Sequence, residues 1–256
     1  MVEKSKVLLT RLLPHDGIDL LEKHVELEIN PEDKIMPKEK IIDKIKDKDG
    51  LICLLTDKID AEIIDAGGKL KIIANYAVGF NNIDIEEATK RNILVTNTPG
   101  VLTETTADLV FALILSTARR IVEADRFLRG GKFKGWAPML FLGNDVYSKT
   151  LGIIGFGRIG RAVAQRAKGF NMKIIYYEPE RLSQDIEKKY CAEYKSLDGL
   201  IKESDFITIL TPLVESTHHL ISEKEFSLMK KTAYRPSRPI NCNTLWKKLS
   251  FISSTR

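Results

Sequence analysis

The sequence is poor in cysteine and histidine and has no long apolar run. Its 256 residues contain three cysteines, with no Cys-x-x-Cys pair, and four histidines. So few cysteines argue against a disulfide framework and favour a reducing compartment. No apolar run approaches the roughly 20 residues that cross a bilayer, and residues 1–6 lead into a strand pattern with no secretory signal. No histidine–carboxylate spacing indicates a metal site. We therefore expect a cytoplasmic protein without a membrane segment or metal.

The net charge of +5 comes entirely from the end of the sequence. Residues 235–256 contain five basic residues and no acid, which accounts for the whole excess of 40 basic over 35 acidic residues. In residues 1–234 the charges balance and are interspersed. This distribution is not typical of a nucleic-acid-binding surface, so no nucleic acid is expected as a partner.

Short apolar runs alternate with amphipathic segments through residues 6–100, which predicts a parallel sheet with helices on its faces. The predicted strands are residues 6–13, 25–29, 50–55, 70–78 and 93–96, and the predicted helices are residues 37–48, 61–66 and 85–91. The same alternation continues after residue 150, with strands at residues 151–154, 172–177, 192–194 and 206–210 and helices at residues 183–189, 197–203 and 223–231. The fold class predicted is α/β, with two Rossmann-like, doubly wound parallel-sheet domains.

The longest predicted helix covers residues 103–120, with Thr103 as its N-cap. Its apolar residues run nearly all round between Leu109 and Leu115, so we expect burial on more than one side. Either an intersubunit surface or a domain junction would explain that pattern. Residues 130–136 are predicted to form an extended arm or loop.

A glycine-rich turn follows the strand at residues 151–154. Gly155, Gly157 and Gly160 form a G-x-G-x-x-G pattern before a helix, and Glu178 ends the next strand 18 residues later. The first glycine allows a tight turn, the second a close approach to a pyrophosphate, and the third close packing of helix on strand. Free N–H groups at the helix start would hold the phosphates, and Glu178 would accept from a ribose 2′-hydroxyl. This context predicts a dinucleotide-binding unit whose turn comprises Gly155, Phe156, Gly157, Arg158, Ile159 and Gly160. A glycine-containing turn in another α/β protein is the alternative.

Several motifs, in order, resemble the D-isomer-specific 2-hydroxyacid dehydrogenases, and within that family the archaeal glyoxylate reductases. They are NYAVGFNNID at residues 75–84, VTNTPGVLT at 95–103, TADL at 106–109, FLG at 141–143, the glycine turn, and LTP at 210–212. The resemblance implies a substrate domain in residues 1–100, a NAD-binding domain in residues 101–234, and a homodimer formed through the helix from Thr103 to Arg120.

The resemblance also implies a reaction and further site residues. A hydride would pass from a nicotinamide cofactor to a small 2-oxo acid, glyoxylate or hydroxypyruvate, giving the 2-hydroxy acid. The substrate would lie against Tyr76 and the N–H groups of Val78 and Gly79, although a simple strand-end turn is the alternative there. Further cofactor contacts are implied for Thr106, Pro179, Thr211 and Pro212.

The choice between NAD and NADP follows from charge. Glu178 would repel a 2′-phosphate, which favours NAD. Arg181 could partly offset this repulsion by pairing with a phosphate. Some members of the family carry Ser-Arg in place of Glu178-Pro179 and resemble NADP users. NAD is therefore predicted, with NADP as the alternative.

The family pattern stops after Tyr234. The family's catalytic arginine, glutamate and histidine follow that point, and residues 235–256 contain none of their motifs, so no catalytic residue is assigned. Two prolines there argue against a central strand. We expect an aberrant basic tail, translated out of frame, with the NAD-binding domain incomplete at its C-terminal end and the substrate domain lacking its returning helix. Three interpretations remain open: a reductase, a non-catalytic dinucleotide-binding dimer, and an inactive product.

Overall fold

The computed structural model describes residues 4–234, which form two compact units. The first unit ends at Val101 and the second begins at Leu102. The substrate-binding and NAD-binding roles assigned to residues 1–100 and 101–234 remain predictions. The prediction for residues 235–256, and with it the incomplete end of the second domain, lies outside the described residues. No helix within residues 4–234 has the length and apolar character needed to span a membrane.

The first unit is a parallel five-stranded sheet with helices between its strands. The strands are β1 (Lys6–Leu9), β2 (Glu26–Ile29), β3 (Gly50–Cys53), β4 (Ile72–Asn75) and β5 (Leu94–Thr96), in the order β2-β1-β3-β4-β5. The helices are α1 (His15–His24), α2 (Lys38–Ile45), α3 (Ala61–Ala66) and α4 (Ile85–Lys90). The main core lies under α2 and α3, where Ile41, Ile45 and Ile63 pack against Leu51 of β3 and Ile73 of β4. Burial of such side chains is the principal stabilising contribution.

The second unit is also parallel and has helices on both faces of its sheet. Its strands are β6 (Thr150–Ile154), β7 (Lys173–Tyr177), β8 (Ala192–Tyr194) and β9 (Phe206–Ile209), in the order β8-β7-β6-β9 among the described residues. Its helices are α5 (Thr103–Ala118), α6 (Ile121–Arg129), α7 (Arg158–Lys168), α8 (Gln184–Tyr190), α9 (Leu197–Glu203) and α10 (Glu223–Leu228). Ile153 points into the core under α5 and α7, and its neighbour Ile154 into the core under α9. That alternation confirms a doubly wound α/β sheet.

Most predicted elements are confirmed, with shorter ends than the apolar runs indicated. The predicted strand at residues 6–13 ends at Leu9, and the helix at residues 223–231 ends at Leu228. The strand predicted at residues 70–78 is shorter at both ends and covers Ile72–Asn75. Residues 130–136 form a loop, as predicted. Helices α1 and α6 were not predicted.

The predicted helix at residues 103–120 needs two corrections. Thr103 is the first helical residue and makes no side-chain cap, because Leu102 occupies the N-cap position. The helix ends at Ala118, and Arg120 has a left-handed backbone (φ 56°) that turns the chain into α6. Within residues 4–234, α5 buries the face that packs against α7, while Leu109 is 56% exposed.

Candidate functional site

The glycine turn joins the carboxyl end of β6 to α7. Gly155 has φ +96°, and a Cβ there would lie 2.8 Å from the carbonyl carbon of Leu210 and 2.9 Å from the nitrogen of Thr211. Only glycine fits this position without strain. The close approach brings Thr211 beside the turn, and Pro212 follows it at the surface. The structure thus brings together the sites predicted after β6 and β9.

The start of α7 has the features of an anion site. A Cβ at Gly160 would lie 2.3 Å from the carbonyl oxygen of Gly155, so glycine is needed for α7 to pack on the turn. Gly157 is exposed, and a Cβ there would meet nothing within 4 Å. The first-turn N–H groups of Arg158, Ile159 and Gly160 lack helical acceptors, no side chain caps them, and the first turn contains no acid. Open space beside free N–H groups and the positive dipole end suits a pyrophosphate.

Glu178 lies at this same turn. Its Oε1 accepts the Phe156 N–H at 2.5 Å, while Gly155 N–H donates to the Tyr177 carbonyl at 3.0 Å. The whole of Phe156 is buried, and its ring lies 4.7 Å from the ring of Tyr176, so this residue belongs to the core and its side chain does not face a ligand. The half-buried carboxylate keeps acceptor sites for a ribose hydroxyl.

Arg181, which the sequence suggested as a partner for a phosphate, is paired with Glu187 of α8. Its guanidinium pairs with both carboxylate oxygens of Glu187, and that hydrogen bond lowers the pKa of Glu187 and raises the pKa of Arg181. Pro179 is exposed between β7 and this pair. Thr106 is half-buried on α5, and no hydrogen bond within residues 4–234 joins it to the glycine turn.

In the first unit, the predicted substrate residues follow β4 in a loop whose carbonyl groups are anchored. Asn97 Nδ2 donates to the Val78 carbonyl at 2.8 Å, and Asn75 Nδ2 donates to the Gly79 carbonyl at 2.7 Å. Among the described residues, no acceptor is recorded for the N–H groups of Val78 and Gly79. Free N–H groups on a loop with fixed carbonyls can bind a carboxylate. Tyr76 is half exposed beside them.

A buried amide network supports this loop. Asn75 is 2% exposed, and its side-chain amide also donates to Asn82 Oδ1 at 3.1 Å. The amide of Asn82 in turn donates to the carbonyls of Leu54 (3.0 Å) and Asp57 (3.1 Å). The sequence motif at residues 75–84 contained both asparagines but did not reveal these supporting roles, because their partners lie as far as 28 residues away.

Cys53 is a core residue, as expected for a cysteine inside an apolar strand. Its side chain is fully buried on β3, and burial raises the pKa of its thiol to about 12. The thiol lies 3.5 Å from Asn75 Oδ1. A neutral, enclosed thiol of this kind is unsuited to nucleophilic chemistry.

The four histidines lie on one helix of the first unit and on one loop of the second unit. His15 and His24 are the end residues of α1. His218 and His219 are exposed after β9, with ring centroids 4.0 Å apart. Within residues 4–234, no group of three or more histidine, cysteine, aspartate or glutamate residues is placed to hold a metal ion.

Comparison with known proteins connects this geometry to one protein family. Residues 111–235 match the family described as "D-isomer specific 2-hydroxyacid dehydrogenase, NAD binding domain". The chain is 52% identical over 234 residues to the glyoxylate reductase of Thermococcus gammatolerans, which covers 90% of this chain and 70% of that protein.

Two crystal structures show the same fold. A protein of Thermus thermophilus has a TM-score of 0.82 and 42% identity, covering 90% of this chain and 72% of that one. The D-lactate dehydrogenase of Aquifex aeolicus, solved with NAD and lactic acid, has a TM-score of 0.77 and 30% identity, covering 90% of this chain and 67% of that one.

Proposed function

The chain belongs to the D-isomer-specific 2-hydroxyacid dehydrogenase family, and from this we propose that it reduces glyoxylate or hydroxypyruvate with NADH. The family is one of oxidoreductases acting on 2-hydroxy and 2-oxo acids with a nicotinamide cofactor. The observation that carries the finer proposal is the pair of anchored backbone sites: the first turn of α7 and the loop at Val78 and Gly79.

The second unit would bind the nucleotide. The first-turn N–H groups of α7 would hold the pyrophosphate in the open space above Gly157. Glu178 would accept from the ribose hydroxyls, and its negative charge favours NAD over NADP. Thr106, Pro179, Thr211 and Pro212 would line the same site, as the family resemblance implies.

The loop after β4 would bind the substrate carboxylate. The two free N–H groups of Val78 and Gly79 suit the negatively charged end shared by all small 2-oxo acids, and Tyr76 would lie along the substrate. The chemistry that a nicotinamide cofactor would supply here, when bound, is hydride transfer to the carbonyl carbon of the substrate. We assign no acid–base role to His218 or His219, because both are exposed on the loop after β9.

A second candidate is a dinucleotide-binding protein without turnover. This candidate is favoured because the described candidate site residues are backbone N–H donors and the Glu178 carboxylate, which suit ligand binding, and none of them is assigned as a catalytic acid or base. The two candidates share nucleotide binding and differ in catalysis.

Absorbance at the nicotinamide band separates them. Mixing the full chain with NADH and glyoxylate or hydroxypyruvate is expected to consume NADH, with saturation in the 2-oxo acid. Fluorescence titration that shows NADH binding without consumption would favour the second candidate. Absence of both signals would overturn the two proposals together.

We also propose that the chain forms a homodimer through α5. The face of α5 that does not pack on α7 exposes Leu109, and the contacting helix α6 exposes Ile121, Val122 and Leu128. Exposed apolar side chains on two contacting helices support an interaction site there. The mass of the protein in solution, from light scattering, tests this proposal.

A further inference from the structure

Arg181, which lies close in sequence to the end of β7, is already paired with a carboxylate. Arg181 follows Glu178 by three residues, yet no ion pair joins the two within the described part of the chain. Its guanidinium is paired instead with Glu187 of α8: Nε lies 2.9 Å from Oε1 and Nη2 lies 2.9 Å from Oε2. This two-point geometry fixes the direction of the arginine fork as well as its position.

The pair is anchored from the sheet side. The Tyr176 hydroxyl donates to Glu187 Oε1 at 2.8 Å and accepts the Leu182 N–H at 3.0 Å. The Glu187 side chain is only 12% exposed, and the guanidinium of Arg181 lies 5.9 Å from the centre of the Tyr194 ring. Arg181 therefore contacts α8 through Glu187 and β8 through Tyr194, while Tyr176 of β7 positions the Glu187 carboxylate.

A ribose 2′-phosphate at this corner would need a cation. Arginine is the side chain best suited to it, because its planar fork matches phosphate oxygens. While Glu187 neutralises Arg181, the charge of Glu178 is uncompensated, and a 2′-phosphate there would meet net repulsion.

We propose that Glu187 is a specificity-determining residue that holds Arg181 on α8 and so excludes dinucleotides carrying a 2′-phosphate. It is a positioning residue, acting through Arg181 with no contact to the cofactor of its own. This inference rests on the proposed nucleotide site and adds a second determinant to Glu178.

The test compares the dissociation constants of NADPH and NADH by calorimetry on the full chain. Glu187→Gln removes the charge that pairs with Arg181, so we expect the ratio of the NADPH to the NADH dissociation constant to fall about two- to fivefold, the upper part of the range for one partly exposed charge pair. Asp185→Asn removes an equal charge from the exposed first turn of the same helix and is expected to change the ratio less than about twofold. The double variant Arg181→Gln/Glu187→Gln is expected to restore the wild-type ratio.

Circular dichroism shows whether each variant folds. If Glu187→Gln does not fold, Glu187→Ala, whose side chain has no hydrogen-bond acceptor, is the second variant that frees Arg181 from its partner. If a folded Glu187 variant binds NADH with an unchanged ratio of the NADPH to the NADH dissociation constant, the role of Glu187 is overturned and the proposed function is unaffected. The same holds for a double variant that keeps the lowered ratio, or a wild-type chain that binds both nucleotides equally. A wild-type chain that binds neither would overturn the proposed function and this inference with it.

Discussion

At the scale of single residues, the glycines of the turn after β6 have separate tasks. Gly160 is required by packing, since a side chain there would strike the Gly155 carbonyl oxygen, which belongs to the backbone and cannot move aside. Gly157 faces open space and has an ordinary negative φ of −70°. We therefore expect stability and the proposed nucleotide binding to depend on different glycines.

The alanine variants of these two glycines are expected to separate the effects. Gly160→Ala should lower the free energy of unfolding by about 1–3 kcal/mol, as overpacking does. Gly157→Ala should cost less than about 1 kcal/mol of stability, the cost of a poorer N-cap, yet weaken NADH binding because its methyl group enters the pyrophosphate space. Urea unfolding and NADH titration measure the two quantities. Equal stability losses would contradict this division.

Asn75 is the residue on which the loop after β4 depends. Asn75→Ala leaves the Gly79 carbonyl and the half-buried amide of Asn82 short of a partner, so we expect a loss of about 1–3 kcal/mol in unfolding free energy. The KM for the 2-oxo acid should rise, since the N–H groups of the loop lose their support. Gln165→Ala, at an exposed position of α7, is the control and should cost less than about 0.5 kcal/mol. An unaltered KM in a destabilised variant would limit Asn75 to a structural role.

At the scale of elements, α5 has two unlike faces. One packs on α7, where Arg166 bonds Asp108 at 2.7 Å and Glu104 at 2.9 Å. The other exposes Leu109. Leu109→Glu is expected to convert the proposed dimer to a monomer, because it places a charge in an apolar interface. Leu20→Glu, at an equally exposed leucine on α1, should leave the mass unchanged. Sedimentation velocity distinguishes the species, and a dimeric Leu109 variant would refute the α5 interface.

Helices α1 and α6 were not predicted, although both have amphipathic sequences. Helix α1 follows Pro14 and contains Gly17, two residues that usually lower the expectation of a helix. Helix α6 is separated from α5 only by the left-handed Arg120, and no break in the sequence marks that boundary. By contrast, the strand–turn–helix around Gly155 carried its signal within a few residues and was predicted correctly.

The same contrast explains which candidate site residues could be proposed from the sequence. Backbone positions such as Val78 and Gly79 could be proposed because a motif marks them. Arg181 was noticed as a cation, but its pairing with Glu187 could not be read from the sequence, since it depends on how α8 packs against β7. The supporting asparagines were missed for the same reason: their partners meet only in the fold.

At the scale of the whole molecule, stability should vary with pH at both ends of the range. A hydrogen bond from a lysine or arginine is the largest cause that lowers the pKa of eight carboxyl groups, those of Glu28, Asp47, Asp49, Asp60, Glu87, Glu187, Glu193 and Glu203. The same pairing raises the pKa of Lys38, Lys90 and Lys195. Each paired carboxyl stabilises the folded chain above its ordinary pKa, and each paired lysine below its own.

We therefore expect a stability plateau between about pH 5 and pH 10. Stability should fall as the pH drops through the lowered carboxyl pKa values, below about 4, and again as it rises through the raised lysine values, above about 10.5. Urea midpoints measured at intervals across this range test the expectation. A midpoint that increased between pH 5 and pH 3 would contradict it.

The position of Phe156 has a consequence for how fast a nucleotide can be captured. Its ring is buried in the core and its N–H donates to Glu178. This part of the turn is therefore already ordered in the folded protein before a ligand binds. Preorganisation of this kind removes an entropic cost from association. We expect the amide of Phe156 to exchange with solvent deuterium almost as slowly as the centre of β6, and bimolecular association to show a single phase without a slow rearrangement.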